Sequence, residues 1–397
     1  MASARSIAGV GAIGFASLID TSMISPIIAS HALSLGADEL LASVIAALYS
    51  MIAIPMSAIA GIVVDRIGRT RPLFLGLLVD AGLMMGYMYS PTPLHLLVFR
   101  ALHAVSDSFV VPSALAAIGD AFRQSLGRTL AVFWTFVAVS IVMGSGSATA
   151  LVLRYGFAGV YATVAAITAA VSLSALIAGP LTPQNAIDTE GRGRGQGISS
   201  FALPVATASL SMLALYLVIG GVIGALPSML VKVGGMDERS AAAQIGVFMA
   251  LSTGLSIPFF FASSWVSGKW RPNVALAFGL VAVSVSSALL QLGLHASWMR
   301  LTAAVVFSVA LGFVFHASSH IATSLPRDVR GTASGILNAS GLLGVAVGSP
   351  LSALISVSGL PTGPFGTMAL IALPVIALAA LGLRANVGEA PGPQPSR

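Results

Sequence analysis

Along this chain, apolar residues come in long runs broken by short segments of charge, proline and glycine. Each run reaches about 20 residues or more, enough to cross a bilayer as a helix whose backbone groups all bond internally. Splitting the chain at the breaks predicts twelve spans, near 6–30, 39–60, 72–90, 94–119, 129–152, 157–179, 203–230, 240–264, 273–294, 299–325, 331–357 and 364–384. The first run follows Met-Ala-Ser-Ala-Arg and is too long for a signal-peptide core, so it predicts an uncleaved first span. The expected fold class is all-α and integral to a membrane.

Composition sharpens this picture. Hydrophobic residues make up 56% of the 397 and charged residues 8%, with a mean hydropathy of +0.96, whereas a soluble domain carries about a quarter charged residues. Twelve spans leave almost no room for a soluble domain. The net charge of +6 comes from basic residues in short loops and not from a patch with interleaved aromatics, so it is a topology signal and no nucleic-acid partner is expected. Placing the start of the chain inside puts fourteen Arg and Lys in inside loops and four at outside ends, with Arg100 within a span. Both termini are therefore predicted on the cytoplasmic side of the plasma (inner) membrane. The chain has no cysteine, which removes disulfides, thiolate metal sites and thiol nucleophiles.

Residues 180–202 form the one long polar stretch inside the chain, rich in alternating Gly and Arg. No strand precedes it and no Lys-Ser/Thr opens a helix after it, so it reads as a flexible linker and not a phosphate loop. It divides two similar halves. Gly268, Lys269, Arg271 and Pro272 repeat Gly68, Arg69, Arg71 and Pro72 at a spacing of 200 residues. Ser140, Gly144 and Ser145 are echoed by Gly344, Gly348 and Ser349, small residues at a spacing that lets helices approach closely. The expected division is an N-terminal six-helix bundle over 1–181, a linker over 182–202, and a C-terminal six-helix bundle with a short tail over 203–397.

The stretch Gly61-Ile-Val-Val-Asp-Arg-Ile-Gly-Arg-Thr-Arg-Pro72 carries four charges between two apolar runs, which predicts a short, tight connection at a membrane surface. It resembles the G-x-x-x-D-R-x-G-R-x-R signature between helices 2 and 3 of the major facilitator superfamily, with Gly61, Asp65, Arg66, Gly68, Arg69 and Arg71 on signature positions. The resemblance implies two pseudo-symmetric bundles with a substrate site between them at mid-membrane. It also implies that Asp65 and Arg66 latch onto the positive N-terminal end of span 11, at Pro326–Gly331, while Gly61 and Gly68 permit close packing and a sharp turn. A plain positive-inside anchor accounts for Arg69 and Arg71.

Ionisable groups inside spans are costly and therefore functional candidates. They are Asp20, Asp80, Arg100 and Asp107, joined by His103, His316 and His320, which titrate near neutrality. Arg100, His103 and Asp107 share one helical face at i, i+3 and i+7. In the superfamily, spans 1, 4, 7 and 10 line the cavity, and six of the seven residues fall on spans 1, 4 and 10. Asp80, on span 3, is expected to pair with a neighbouring helix instead. Leu-Leu-Val-Phe-Arg100-Ala-Leu-His103-Ala resembles the L-x-x-x-R-x-x-Q-G pattern of drug:proton antiporters, with His103 and Ala104 departing from it. The residues around Asp20 resemble the span-1 signature of the same group. Burial and a neighbouring arginine act in opposite senses on a carboxylate's proton affinity, so Asp20 or Asp107 is the expected protonation site. Arg100 would tune it, anchor an anion, or form a purely structural ion pair. His316-Ala-Ser-Ser-His320 has the spacing of a metalloprotease helix but holds Ala317 where the catalytic Glu belongs. With no nucleophile elbow either, no enzyme, resident metal or cofactor is expected.

The resulting expectation is a monomeric secondary active transporter working by alternating access. Its partners are protons, the lipid bilayer and a small-molecule substrate, and its function is proton-coupled export of small organic molecules. The alternatives are an organic-anion or uniport carrier using Arg100, and a divalent-metal exporter using the His and Asp groups.

Overall fold

A computed structural model describes residues 4–37, 39–177, 198–236 and 238–385. Most of the expected linker, and the C-terminal tail, lie outside these residues. The first half comprises α1 (Ala4–Ile24), α2 (Ile28–Ser34), α3 (Glu39–Ile67), α4 (Thr70–Met88), α5 (Pro93–Asp107), α6 (Val110–Ala121) and α7 (Leu126–Ile177). The second comprises α8 (Ala202–Gly224), α9 (Leu226–Lys232), α10 (Glu238–Leu255), α11 (Ile257–Trp270), α12 (Pro272–Leu292), α13 (Ser297–Thr323), α14 (Arg327–Ser358) and α15 (Gly363–Ala385). The 52-residue α7 is broken at Gly156 (φ +67°), which divides it into two spans. The α1/α2, α5/α6, α8/α9 and α10/α11 pairs are each interrupted by three residues or fewer, the last with a 43° bend, so counting each pair once and α7 twice gives twelve segments over the twelve expected spans. Among the described residues, nine helices are long and apolar enough to span a membrane alone, and the bent pair at Gln244–Trp270 makes a tenth.

The outside of the molecule is apolar where a soluble protein is charged. Leu75, Leu78, Val79 and Met85 of α4, and Phe278, Val281 and Val285 of α12, are all exposed, as expected of surfaces solvated by lipid tails. Polar groups turn inward instead, including Asp20, Asp80, Arg100, His103 and His316. One buried apolar core joins α8 to α15, and two others belong mainly to α1 to α7.

Small residues set the closest helix pairs, and the same pairing occurs in each half. At Gly144 a Cβ would press on Ser22, Ile19 and Met23, so α7 lies tight against α1. At Gly344 and Gly348 it would meet the α8 backbone at Leu213 and Leu217. Span 1 with span 5, and span 7 with span 11, are thus equivalent contacts, built from the two small-residue motifs of the repeat.

The charged connection is shorter than its sequence suggests. Helix α3 continues through Asp65 and Arg66 to Ile67, leaving Gly68 (φ +96°) and Arg69 to turn the chain into α4. In the second copy, α11 runs on past Gly268 to Trp270, and the turn falls on Arg271 at φ +108° and ψ 149°. An L-side chain is strained there, by about 1–3 kcal/mol. Arg271→Gly is expected to stabilise the protein by about 1 kcal/mol, read as a raised midpoint of thermal unfolding in detergent; an unchanged or lowered midpoint would contradict this.

Candidate functional site

Three helices bring a cluster of ionisable groups together in the interior of the first half. The His103 imidazole Nε2 lies 3.1 Å from Asp20 Oδ2, and both residues are almost completely buried. Asp80 joins them, and the nearest ligand atoms of Asp20, Asp80 and His103 all fall within 4.8 Å of one another. The Ser106 hydroxyl donates to Asp80 Oδ1, while Asp80 Oδ2 has no hydrogen-bond partner. Span 3, expected to stand apart from the site, therefore contributes one of its carboxylates. It does so by meeting α5 across Ser106.

Asp107 occupies the adjoining position. The Tyr49 hydroxyl donates to Asp107 Oδ2, and Thr21 Oγ1 lies 3.4 Å from the same oxygen. Arg100 places its guanidinium 4.7 Å above the Tyr49 ring, with Nε and Nη1 unpartnered. Among the described residues no ion pair joins Arg100 to Asp20 or Asp107. Its interaction is with aromatic rings, which attract a desolvated guanidinium. Tyr49, Ala53 and Ala104 pack against Leu342 of α14. The Asp107–Tyr49 side thus faces the second half, while Asp20, His103 and Asp80 lie deeper in the first.

Three carboxylates here face one guanidinium. With all three ionised and His103 neutral, two negative charges are left, and uncompensated charge inside a bilayer is expensive. Two protons or one divalent cation restore neutrality.

A second constellation seals the halves at their arginine-rich end. Asp65, at the end of α3, accepts from the Gly331 and Thr332 backbone N–H groups at 2.8 and 2.6 Å and from Thr332 Oγ1 at 2.7 Å, all on α14. Its partner in charge is Arg69, 3.3 Å away at i+4. Arg66, expected to act with Asp65, is exposed, because one residue along a helix turns the side chain about 100° away. Arg71 is exposed as well, whereas Arg69 is buried. Arg69 also pairs with Asp120 at 3.0 Å, and Asp120 binds Arg330 and, at 3.4 Å, Arg327 from α14. Asp120 is the carboxylate that sequence reasoning missed. Its signal was present: an acid directly after the fourth apolar run, three residues before Arg123, in an otherwise basic connection. Next to this network the backbones touch: a Cβ on Gly61 would overlap the Gly331 carbonyl, and one on Gly335 would overlap Ser57 O. Asn338 Nδ2 donates to Ser57 Oγ at 2.9 Å.

The histidines of span 10 belong to this seal and not to the acid cluster. His316 Nε2 contacts the Gly127 carbonyl of α7 at 2.7 Å, and its Nδ1 contacts Ser263 Oγ at 3.1 Å. Trp134 Nε1 donates to Ser319 Oγ at 3.0 Å across the same α7–α13 boundary. His320 stacks near His316, at 6.0 Å between centroids. The expected metal set of Asp20, His103, Asp107 and the span-10 pair is therefore not assembled, because the two histidines face α7 and α11. His316→Ala is expected to loosen the seal and raise labelling of a single Cys at Ser263 by a membrane-impermeant maleimide about fivefold, from loss of roughly 1 kcal/mol of hydrogen bonding; unchanged labelling would remove His316 from the seal.

Two helical halves, closed on each other at one end and enclosing charge at mid-depth, define a membrane transporter. The comparisons make the class specific. The family model for the Major Facilitator Superfamily matches residues 10–325. The chain belongs to that superfamily and is a multi-pass secondary transporter, not an enzyme. Multidrug resistance protein MdtM of Escherichia coli O157:H7 is 22% identical over 386 residues, covering 94% of this chain and 92% of that protein. Inner membrane transport protein YajR of Escherichia coli K12 is 24% identical over 369 residues, covering 89% and 77%. The human organic anion transporter MFSD10 is similar in fold, with a TM-score of 0.75 at 15% identity, covering 96% of this chain and all of that one.

Proposed function

We propose that this transporter is a proton-coupled exporter of small organic molecules. The carrying observation is the buried Asp20–His103–Asp80 group set behind Asp107, Tyr49 and Arg100, whose charge two protons would neutralise. In this reading the deep carboxylates hold the protons. The Asp107–Tyr49–Arg100 side, facing Leu342, contacts substrate between the halves. Similarity to MdtM, a multidrug resistance protein, agrees with an organic cargo.

The excess of basic residues assigns the sealed end to the cytoplasm, with both termini there and the protein in the plasma (inner) membrane. Asp65 on the α14 backbone, with the Asp120–arginine network, is then a latch on the cytoplasmic gate. Opening of this latch would alternate access to the site.

A second reading is a divalent-cation carrier, favoured by the same three ligand atoms within 4.8 Å. One experiment separates the two. Protein reconstituted in liposomes under a pH gradient is given lipophilic cations, organic anions and divalent metals one at a time, while internal pH is followed. Proton movement on adding an organic compound supports the exporter. Proton movement or uptake with a divalent metal alone supports the second reading. Flux of an organic compound without proton movement leaves a facilitator and overturns the coupling.

A further inference from the structure

The interior of the first half holds more polar groups than the transport site uses. Beyond His103, towards the end of the bundle away from the gate, lie two tyrosines and a histidine in an otherwise apolar core of Ile, Met, Leu and Val. The Tyr87 hydroxyl is 3.4 Å from His103 Nδ1. The Tyr87 ring stacks on Tyr161, with centroids 5.2 Å apart and planes within 10°. The Tyr161 hydroxyl is 2.9 Å from His31 Nδ1. Packing alone requires none of these polar atoms, since phenylalanine fills the same volume.

Their positions form a line through the membrane. His31 is on the short α2, just before the turn into α3, and Tyr161 is five residues past the break at Gly156. Tyr87 is next to the end of α4 and reaches down to His103, which is ten residues into α5, about 15 Å from the start of that helix at the helical rise. We infer that His31, Tyr161, Tyr87 and His103 form a proton path, inside the first half, from the end opposite the gate to Asp20. This rests on the proton-coupled reading of the site. In the orientation proposed above, the His31 end of the path, where His31 is 7% exposed, lies towards the outside of the cell, and the path bypasses the space between the halves.

The transfer balances at each step. A proton taken up by His31 at Nε2 releases its Nδ1 proton to the Tyr161 oxygen. The Tyr161 hydroxyl proton passes to Tyr87, that of Tyr87 passes to His103 Nδ1, and the proton on His103 Nε2 passes to Asp20 Oδ2. One proton enters and one carboxyl is formed; hydroxyl rotation and a change of imidazole tautomer reset the chain. The hop between the phenols is the one without a direct hydrogen bond. There the two rings stack in parallel, with centroids 5.2 Å apart, so a rotation of either phenol closes the gap. The groups around the path are few. His103 faces Asp20, Asp80, Tyr49 and Tyr87 from neighbouring helices, with Arg100 and Asp107 on its own rod, while His31 faces Tyr161 and Phe157.

The test follows protonation without needing a substrate. The full chain in liposomes is subjected to a pH jump on the outside, and infrared difference spectroscopy records the carboxylic C=O band that Asp20→Asn removes. In Tyr161→Phe and in Tyr87→Phe the band should reach its usual amplitude but rise about 10- to 100-fold more slowly; His31→Gln should slow it likewise. Loss of packing would instead change the amplitude or the pH midpoint. Wild-type rise times in both Phe variants, or no Asp20 band in the wild type, would overturn the path. If the path stands but substrate moves no protons in the liposome assay, it is the exporter reading that fails.

Discussion

Replacing Asp20 with asparagine is expected to lower proton-driven flux about 100-fold while leaving counterflow exchange of substrate within about threefold of wild type. The substitution is nearly isosteric, and the amide oxygen can still accept from His103 Nε2, 3.1 Å away, so the fold and the rocking of the halves are retained. What disappears is a group able to gain and lose a proton at mid-membrane. The measurement is internal pH and substrate flux in the same liposomes, with and without a gradient. Asp107→Asn is the informative companion. Asp107 lies with Tyr49 on the side facing α14, so its loss should weaken substrate binding and spare the coupling ratio. Driven flux that survives Asp20→Asn would move the proton site elsewhere.

The second large effect is expected from Gly335→Val. In the sealed state the Gly335 Cα faces Ser57 O and the Gly61 backbone so closely that a Cβ has no room. The obstruction is backbone against backbone, which no rotamer change relieves. Overpacking of this kind costs about 2 kcal/mol in the sealed state only, enough to shift the population about 30-fold towards a state open at the arginine-rich end. The chain has no cysteine, so a single Cys at Ser57 reports accessibility without background. Labelling from that side should rise steeply and active transport should be lost. Asp65→Asn should act in the same direction but less, since an asparagine oxygen still accepts one of the two α14 N–H groups. Labelling at wild-type level in Gly335→Val would show that the helices separate elsewhere.

The twelve rods were legible because a lipid-spanning helix needs an unbroken apolar run, and the breaks between runs are charged. The gate was legible in part. Asp65 stands out as an acid in a basic segment, and the N-terminal end of α14 is an obvious place for it. Its partner was not legible, because Arg66, Arg69 and Arg71 are equivalent as letters, and only the turn at Gly68, just after α3 ends at Ile67, folds Arg69 back onto Asp65. The facing of whole helices was hidden for a related reason. Lipid tails and a protein core are equally apolar, so the apolar positions of α4 and α13 do not say which neighbour each inward face meets. Asp80 therefore completes a cluster from a span that the superfamily pattern leaves off the cavity, and His316, on a cavity span, closes a seam. The neighbours of Arg100, Tyr49 and Tyr87, in place of the expected carboxylates, lie on helices whose phase the sequence does not reveal.

The two sites of this carrier are housed differently: the carboxylates with His103 are enclosed by α1, α4 and α5, while the seam against Leu342 is shared by both halves. On the reading proposed above, fuel and cargo therefore do not compete for the same volume. Residues on α8 to α15 that border the seam could then drift, enlarging or reshaping the proposed cargo space, without disturbing the enclosed carboxylates. Such a division gives a lineage of these carriers freedom to acquire new cargoes while its engine stays fixed.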